Sequence, residues 1–442
     1  MKIKTLSLGV LFLLSGCVSN QAEILYKKSP AFYSYIFGDI KNNRIIKEHK
    51  SAVYTTPASC QKVITALVAY KTLGADYRYE TKLYVTKLHG KTHNIIITFS
   101  GDPTLKTDDL LQLLEPIRRN RITGKIFLDI AEFRTPTHSP NIMLDDLGTE
   151  YAQPVSSLNI DKNLITVTAY PRKKNQLALL TNNANYFINS TVTTSPAPSL
   201  VSLSIKNHQI YADGNINYQE LSREMKISPT DFDYFILRKV KQVFKKFNVK
   251  NEIVFIRDAN KIPTDRTLLN VIRSDSLNNI ITKAIKQSDN LVFDALYLKI
   301  IHLYGSDKIK KWEDGDEIIK GLVKKHFNVE MNGAKIVDGS GLSRYNQVQP
   351  EKIFMLLKQG YDIKEFIIAL PSPGEPNSTL VKRTGLMPYI KAKTGTMSGI
   401  SCLCGYDVTR KPRAFVVITN SFAPPVKNIL PLIDNFVNYS VK

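Results

Sequence analysis

The stretch Pro57-Ala58-Ser59-Cys60-Gln61-Lys62-Val63-Ile64-Thr65-Ala66-Leu67 decides how the rest of the chain is read. Pro57-Ala58 opens a helix, and apolar Val63, Ile64, Leu67, Val68 and Tyr70 give it a buried face. A serine and a lysine three apart on a helix stand one turn up the same face, hydroxyl beside amine. At a helix start the free N–H groups also favour developing negative charge. A lysine serves as a base there only if burial or a second cation weakens its hold on the proton. Ser-x-x-Lys is a weak pattern alone, the alternative being an ordinary helix-start serine. Ser59 is nevertheless the only serine of the chain that shows it.

A second cation is offered by Lys393-Thr394-Gly395, in a strand-like run near the C-terminus. Side chains alternate along a strand, so Lys393 can point into a cleft while Gly395 lets a substrate backbone approach. Arg383-Thr384-Gly385 nearly matches it and shows how cheap such tripeptides are. Ser288-Asp289-Asn290 adds a hydroxyl and an amide from a short turn. Ser139-Pro140-Asn141, Ser157-Leu158-Asn159 and Ser276-Leu277-Asn278 share the Ser-x-Asn pattern. Only the Ser288 copy stands between an amphipathic helix and the apolar run Leu291–Ile300.

The order Ser-x-x-Lys, Ser-x-Asn, Lys-Thr-Gly is that of the penicillin-recognising serine acyltransferases. The chain resembles one branch closely: the type-4, low-molecular-mass class C penicillin-binding proteins, which are D-alanyl-D-alanine carboxypeptidases and endopeptidases. The resemblance covers nearly the whole mature chain. Besides residues 57–67 it rests on Gly101-Asp102-Pro103-Thr104-Leu105, Asp338-Gly339-Ser340-Gly341-Leu342-Ser343-Arg344, and Ala392-Lys393-Thr394-Gly395-Thr396 through Gly405-Tyr406. It implies that Ser59 is the acylated nucleophile and Lys62 its general base. Ser288 would relay a proton to the leaving amine, Asn290 would hold the substrate amide, and Lys393 would tune the electrostatics of Lys62 and Ser288. Thr394 would bind the terminal carboxylate, with Gly395 and Thr396 completing the substrate-binding strand. The N–H groups of Ser59 and Thr396 would form the oxyanion hole. Relatives from diaminopimelate-containing bacteria recognise that residue with an Asp five before an aromatic, a spacing that Asp146 and Tyr151 match. Asp145 adjoins Asp146, and paired carboxylates in a loop can equally be a solvated face.

Two positions depart from the pattern. Cys60 stands where a small residue such as Thr is usual, as a buried helix neighbour. Glu375-Pro376-Asn377-Ser378-Thr379-Leu380 stands where Gly-Thr-Leu is normal, which alters the cleft rim without touching the chemistry. The resemblance implies peptidoglycan peptides as substrate and β-lactam antibiotics as covalent inhibitors, with no cofactor. A β-lactamase or esterase of the same fold, or an idle wall-binding lipoprotein, are the alternatives. The long insert and the lack of a class A deacylation glutamate argue against the first. The intact motifs argue against the second.

The expected fold class is α/β: a penicillin-binding, transpeptidase-like domain, with an antiparallel sheet flanked by helices, split by a long β-rich insertion. Ala31 to Lys47 reads as two strands around Lys41-Asn42-Asn43. Short β runs follow at Thr81–Val85, Asn94–Phe99, Lys125–Ile130 and Leu164–Ala169, interrupted by one helix, Thr107–Arg119, bent at Pro116. Helices return at Leu277–Gln287, Leu291–Tyr304, Asp316–His326 and Pro350–Gly360. Strands Tyr389–Gly395, Ile400–Val408 and Arg413–Asn420 and a helix Val426–Val437 close the chain. The expected division is a signal at 1–16, a peptidase domain of 17–76 and 262–442, and an insertion of 77–261 with a small nested module at roughly 160–227.

The N-terminus has a basic start, a short apolar run to Leu14, then Ser15-Gly16-Cys17: an export signal, too short for a usual membrane span. Leu14-Ser15-Gly16-Cys17 resembles a bacterial lipobox, which implies acylation of Cys17 and, with Val18 rather than Asp following, an outer-membrane lipid anchor facing the periplasm. An ordinary cleaved signal is the alternative. The chain has 442 residues, 60 Lys+Arg against 39 Asp+Glu, and a net charge of +21. Such charge invites nucleic acid, but export argues against that partner and suits anionic lipid and wall carboxylates. Of four cysteines, Cys60, Cys402 and Cys404 remain after Cys17. Cys402 and Cys404 share one strand face, poor geometry for pairing with each other. No Cys/His cluster has metal-ligand spacing, so no metal is assigned.

Overall fold

The computed structural model describes Glu23, Lys28 and residues 31–118, 121–423 and 425–441. The expected signal and Cys17 lie outside the described residues. The chain divides into two compact units. One comprises Met1–Tyr77, Ser276–Asp289 and Trp312–Lys442; the other comprises Arg78–Asp275 and Asn290–Lys311.

The first unit is built on a five-stranded antiparallel sheet. Its order is Ile390–Met397, Ile400–Asp407, Arg413–Asn420, Phe32–Asp39, Ile45–His49, so the two ends of the chain meet in one sheet. Tyr35, Phe37, Leu403, Phe415 and Val417 pack with Ile433, Phe436 and Val437 of the closing helix, Leu430–Ser440. Deeper lies the helix Gln61–Thr72, whose residues 61–70 are all buried. It packs on the helices Leu277–Gln287, Asp316–Phe327 and Pro350–Gln359, while the turn Ala58–Cys60 before it rests on the first two strands of the sheet. The sequence suggested one buried face. Neighbours all round explain why the helix is apolar on nearly every side.

The second unit centres on a mixed sheet ordered Ile253–Ile256, Ile126–Asp129, Lys91–Phe99, Glu80–Leu88, Thr267–Arg273. The first three strands run parallel and the last two pairings are antiparallel. A three-stranded sheet places Ile165–Tyr170 between Arg223–Ile227 and Leu179–Asn182. A further sheet forms around Gln209–Asn217. Thr267–Arg273 lies C-terminal to the expected boundary at 261/262, yet it pairs with Glu80–Leu88 and so belongs with the insertion. The helix Asn290–Gly305 also groups with this unit rather than with the first.

The expected single helix among the early β runs is an α-helix only over Thr107–Leu114. It then tightens to a 3₁₀ turn over Glu115–Ile117, because Pro116 lacks the N–H that would continue the ladder. A second helix, Phe232–Lys245, was not expected. Its signals are in the sequence: Asp231 accepts from the Tyr234 N–H as a cap, and Phe232, Phe235, Ile236, Val240, Val243 and Phe244 form one buried stripe. No described helix is long and apolar enough to cross a membrane.

Candidate active site

Ser59 sits in the middle of the turn Ala58–Cys60, immediately before the buried helix. Ala58 adopts a left-handed backbone, φ 44°, which a side-chain-bearing residue reaches only under strain. The fully buried Lys62 places its Nζ 2.9 Å from Ser59 Oγ, donating to it. The same Nζ also donates to the Ser340 carbonyl at 2.7 Å. The local i, i+3 geometry therefore brings amine to hydroxyl, and a distant loop holds the amine there.

The loop is organised by Asp338. Its buried carboxylate accepts from the Gly341 and Ser343 N–H groups, both at 2.7 Å, and from Asn346 Nδ2 at 2.8 Å. Burial pushes this carboxyl upward despite those bonds. Thr65 Oγ1 donates to the Gly339 carbonyl at 2.8 Å, tying the loop to the helix Gln61–Thr72. Gly341 takes φ 81°, and a Cβ there would lie 1.9 Å from the Ala58 carbonyl oxygen. The sequence comparison had marked residues 338–344 without a role. A backbone carbonyl that positions a lysine has no side-chain signature.

Ser288 caps the helix Leu277–Gln287 in a left-handed conformation, φ 60°. Lys393, also fully buried, donates to Ser288 Oγ at 3.0 Å and to the Thr394 carbonyl at 2.6 Å. Burial pushes the Lys393 amine down to about 8, with partial opposition from the nearby thiols. Gly395 differs from its expected use. A Cβ on it would meet the Pro57 carbonyl at 2.9 Å and the Ser59 and Cys60 nitrogens at 3.1 Å. The space it leaves is filled by the turn that carries Ser59, so it admits that turn against the strand rather than a substrate backbone.

Ser59, Ser288, Thr394 and Thr396 line one cavity of about 750 Å³ within this unit. Cys60 is buried beside them, its Sγ 3.5 Å from the Lys393 carbonyl. Cys402 and Cys404 are buried as free thiols on the adjoining strand, opposite Gly395 and Lys393 in register. Among the described residues no group of three or more His, Cys, Asp or Glu could hold a metal ion. The similar tripeptides have structural work instead. Arg383 forms a buried bidentate pair with Asp434, Ser276 caps its helix, and Ser157 bonds the Ile130 carbonyl.

Asn290 and Asp146 lie in the second unit and are connected there through Tyr151. Asn290 Nδ2 donates to the Tyr151 carbonyl at 2.8 Å, and the Tyr151 hydroxyl donates to Asp146 at 2.6 Å. Asp146 ends a short turn, Leu144–Asp146, and its carbonyl accepts from Thr149 Oγ1 at 2.6 Å. The hydrogen bond to Asp146 first, and burial second, push the Tyr151 phenol upward.

Comparison with known proteins gives a family and a fold. Residues 20–436 match the model of the D-Ala-D-Ala carboxypeptidase 3 (S13) family. The chain is 25% identical to the D-alanyl-D-alanine carboxypeptidase DacB of Haemophilus influenzae, over 94% of this chain and 91% of that one. It is 24% identical to a D-alanyl-D-alanine carboxypeptidase of Actinomadura, covering 84% of this chain and 74% of that protein. The crystal structure of penicillin-binding protein 4 from Haemophilus influenzae superposes with a TM-score of 0.82 at 22% identity, over 95% of this chain and 99% of that one. With two lysine-bonded serines in one cavity and a family match that runs almost end to end, the protein belongs to the D-Ala-D-Ala carboxypeptidase 3 (S13) family of serine peptidases.

Proposed function

We propose that this carboxypeptidase is an exported D,D-peptidase that works through an acyl-enzyme on Ser59. Its proposed substrates are D-Ala-D-Ala termini and D-Ala–diaminopimelate cross-links of peptidoglycan. The carrying observation is the pair of amine–hydroxyl contacts from buried lysines, Lys62 on Ser59 and Lys393 on Ser288, with both serines lining one cavity. Lys62 in its neutral form takes the Ser59 proton as Oγ attacks the scissile carbonyl. The N–H groups of Ser59 and Thr396 stabilise the resulting oxyanion. Ser288 delivers its proton to the departing amine and takes in exchange the one that Lys62 holds, so that Lys62 is neutral again, and the charge of Lys393 holds the Ser288 oxygen in place. Thr394 receives the leaving residue's carboxylate. Water then attacks the ester; Lys62 takes its proton and returns it to Ser59 Oγ as the acyl group leaves.

Asn290 is assigned to the substrate amide and Asp146 to the second amino-acid centre of diaminopimelate. Their common support by Tyr151 favours a shared recognition role. A β-lactam presents an amide that acylates Ser59 in the same way and leaves slowly. Cys17, by its lipobox, is assigned as the outer-membrane anchor. The test is incubation of the purified protein with a fluorescent penicillin. Stable labelling that disappears in Ser59→Ala is expected; an unlabelled wild type would overturn the reading, and rapid drug turnover would mark a β-lactamase. Chromatography of muropeptides then separates D-Ala release from opening of cross-linked dimers.

A further inference from the structure

We propose that the side of the cavity beyond Thr394 is a subsite for an extended, carboxylate-bearing leaving peptide, with Lys382 and Lys427 as its specificity-determining cations. The inference rests on the catalytic reading above and adds which substrate the site is built to prefer. The scissile amine is protonated by Ser288 and its carboxylate received by Thr394, so those two residues mark the leaving side. From them the cavity continues along the Ser378–Gly385 segment to the first turn of the closing helix, reaching Lys382, Lys427 and Asn435. Its volume of about 750 Å³ lies in the range, roughly 300–1,000 Å³, of pockets that enclose drug-sized ligands. A lone D-alanine would leave most of it filled with water.

The charge on this wall is one-sided. Arg383 is neutralised by its buried pair with Asp434 and adds no net field. Lys382 and Lys427 are exposed, and neither forms an ion pair among the described residues. Two uncompensated ammonium groups past the carboxylate site of Thr394 suit a leaving group with further carboxylates. The acceptor stem of a D,D-cross-linked dimer has that chemistry: it departs as an amine whose own carbon carries a carboxylate, with more carboxylates along the peptide. A terminal D-alanine has none beyond the first. Attraction of this kind acts mainly on binding and weakens with salt.

The experiment compares two substrates on the full chain: a pentapeptide monomer that loses D-Ala, and a D,D-cross-linked muropeptide dimer. In Lys382→Glu/Lys427→Glu, kcat/KM for the dimer should fall about tenfold or more, mostly through KM. D-Ala release and the rate of penicillin acylation should stay within about twofold. Lys382→Arg/Lys427→Arg should retain dimer cleavage, and wild-type dimer cleavage should be the more salt-sensitive of the two reactions. Unchanged dimer cleavage in the Glu pair, or an equal fall on both substrates, would overturn the proposal. So would a wild type that is acylated by penicillin and releases D-Ala but leaves the dimer intact. A wild type that does none of these things instead refutes the catalytic reading, so the two failures are distinguishable.

Discussion

The two units hold their polar groups in opposite ways. In the first, Lys62 and Lys393 are fully buried and each is fixed by a hydroxyl and a backbone carbonyl. In the second, Asp146 is half-buried, and Tyr151, which joins it to Asn290, keeps 45% of its surface exposed. Chemistry on a peptide bond gains from dipoles and charges that are already oriented in a water-poor site. Recognition of a side chain needs fewer fixed groups and tolerates solvent. Loss of a single atom should therefore be far more damaging in the first unit than in the second.

The largest effect tests that contrast directly. Lys62→Met keeps the stem and removes the amine, and should slow penicillin acylation by about 10²–10⁴-fold with the fold retained by circular dichroism. A loss below tenfold would mean that another group takes the Ser59 proton. Next comes Gly341→Ala, which asks an L side chain for φ 81° and drives a Cβ into the Ala58 carbonyl. It should cost about 1–3 kcal/mol in denaturant unfolding and weaken acylation as well, because the same loop supplies the Ser340 carbonyl.

The pH dependence of Lys393 sharpens the contrast further. Burial places its proton loss at about 8, below the free-lysine value, so its charge is present below that pH and disappears above it. Acylation should fall by about tenfold per pH unit on the alkaline side, and Lys393→Arg should remove that limb. Stability should respond with the other sign. Between about 8 and the ordinary lysine range the folded chain has shed a proton that the unfolded chain keeps, so this group's share of stability rises with pH. The smallest effect belongs to the second unit. Tyr151→Phe removes one hydrogen bond to Asp146 and should raise KM for a diaminopimelate-containing peptide only about two- to tenfold, with kcat nearly unchanged. A collapse of kcat there would erase the distinction between the two regions.

Much of the first unit was readable because its signals are local. Ser59 and Lys62 are three positions apart, and the strands Ile400–Asp407 and Arg413–Asn420 and the helix Leu277–Gln287 lie within a residue of their expected bounds. The helix Phe232–Lys245 carries equally local signals, a capping Asp231 and one apolar stripe, within β-rich surroundings. The edge of the insertion was not readable in that way. Thr267–Arg273 joins the second unit through its pairing with Glu80–Leu88, and β pairing between distant segments leaves no local mark. Gly395 was read as a gap for substrate, but the direction of its missing Cβ depends on what the strand packs against.

By itself, the sequence determined which groups are proposed for the chemistry: Ser59, Lys62, Ser288 and Lys393 stand out by residue type, spacing and order. Only the tertiary structure decided how those groups are held. The Ser340 carbonyl on Lys62, the Asp338 carboxylate that folds its loop, and the Tyr151 link between Asn290 and Asp146 are all contacts between distant segments. The same holds for the cavity that continues from Thr394 to Lys382 and Lys427. The reason is physical. Reactivity resides in side-chain type and in the short-range geometry of a helix or strand, whereas position and charge balance depend on which distant backbone or side chain is folded against each group.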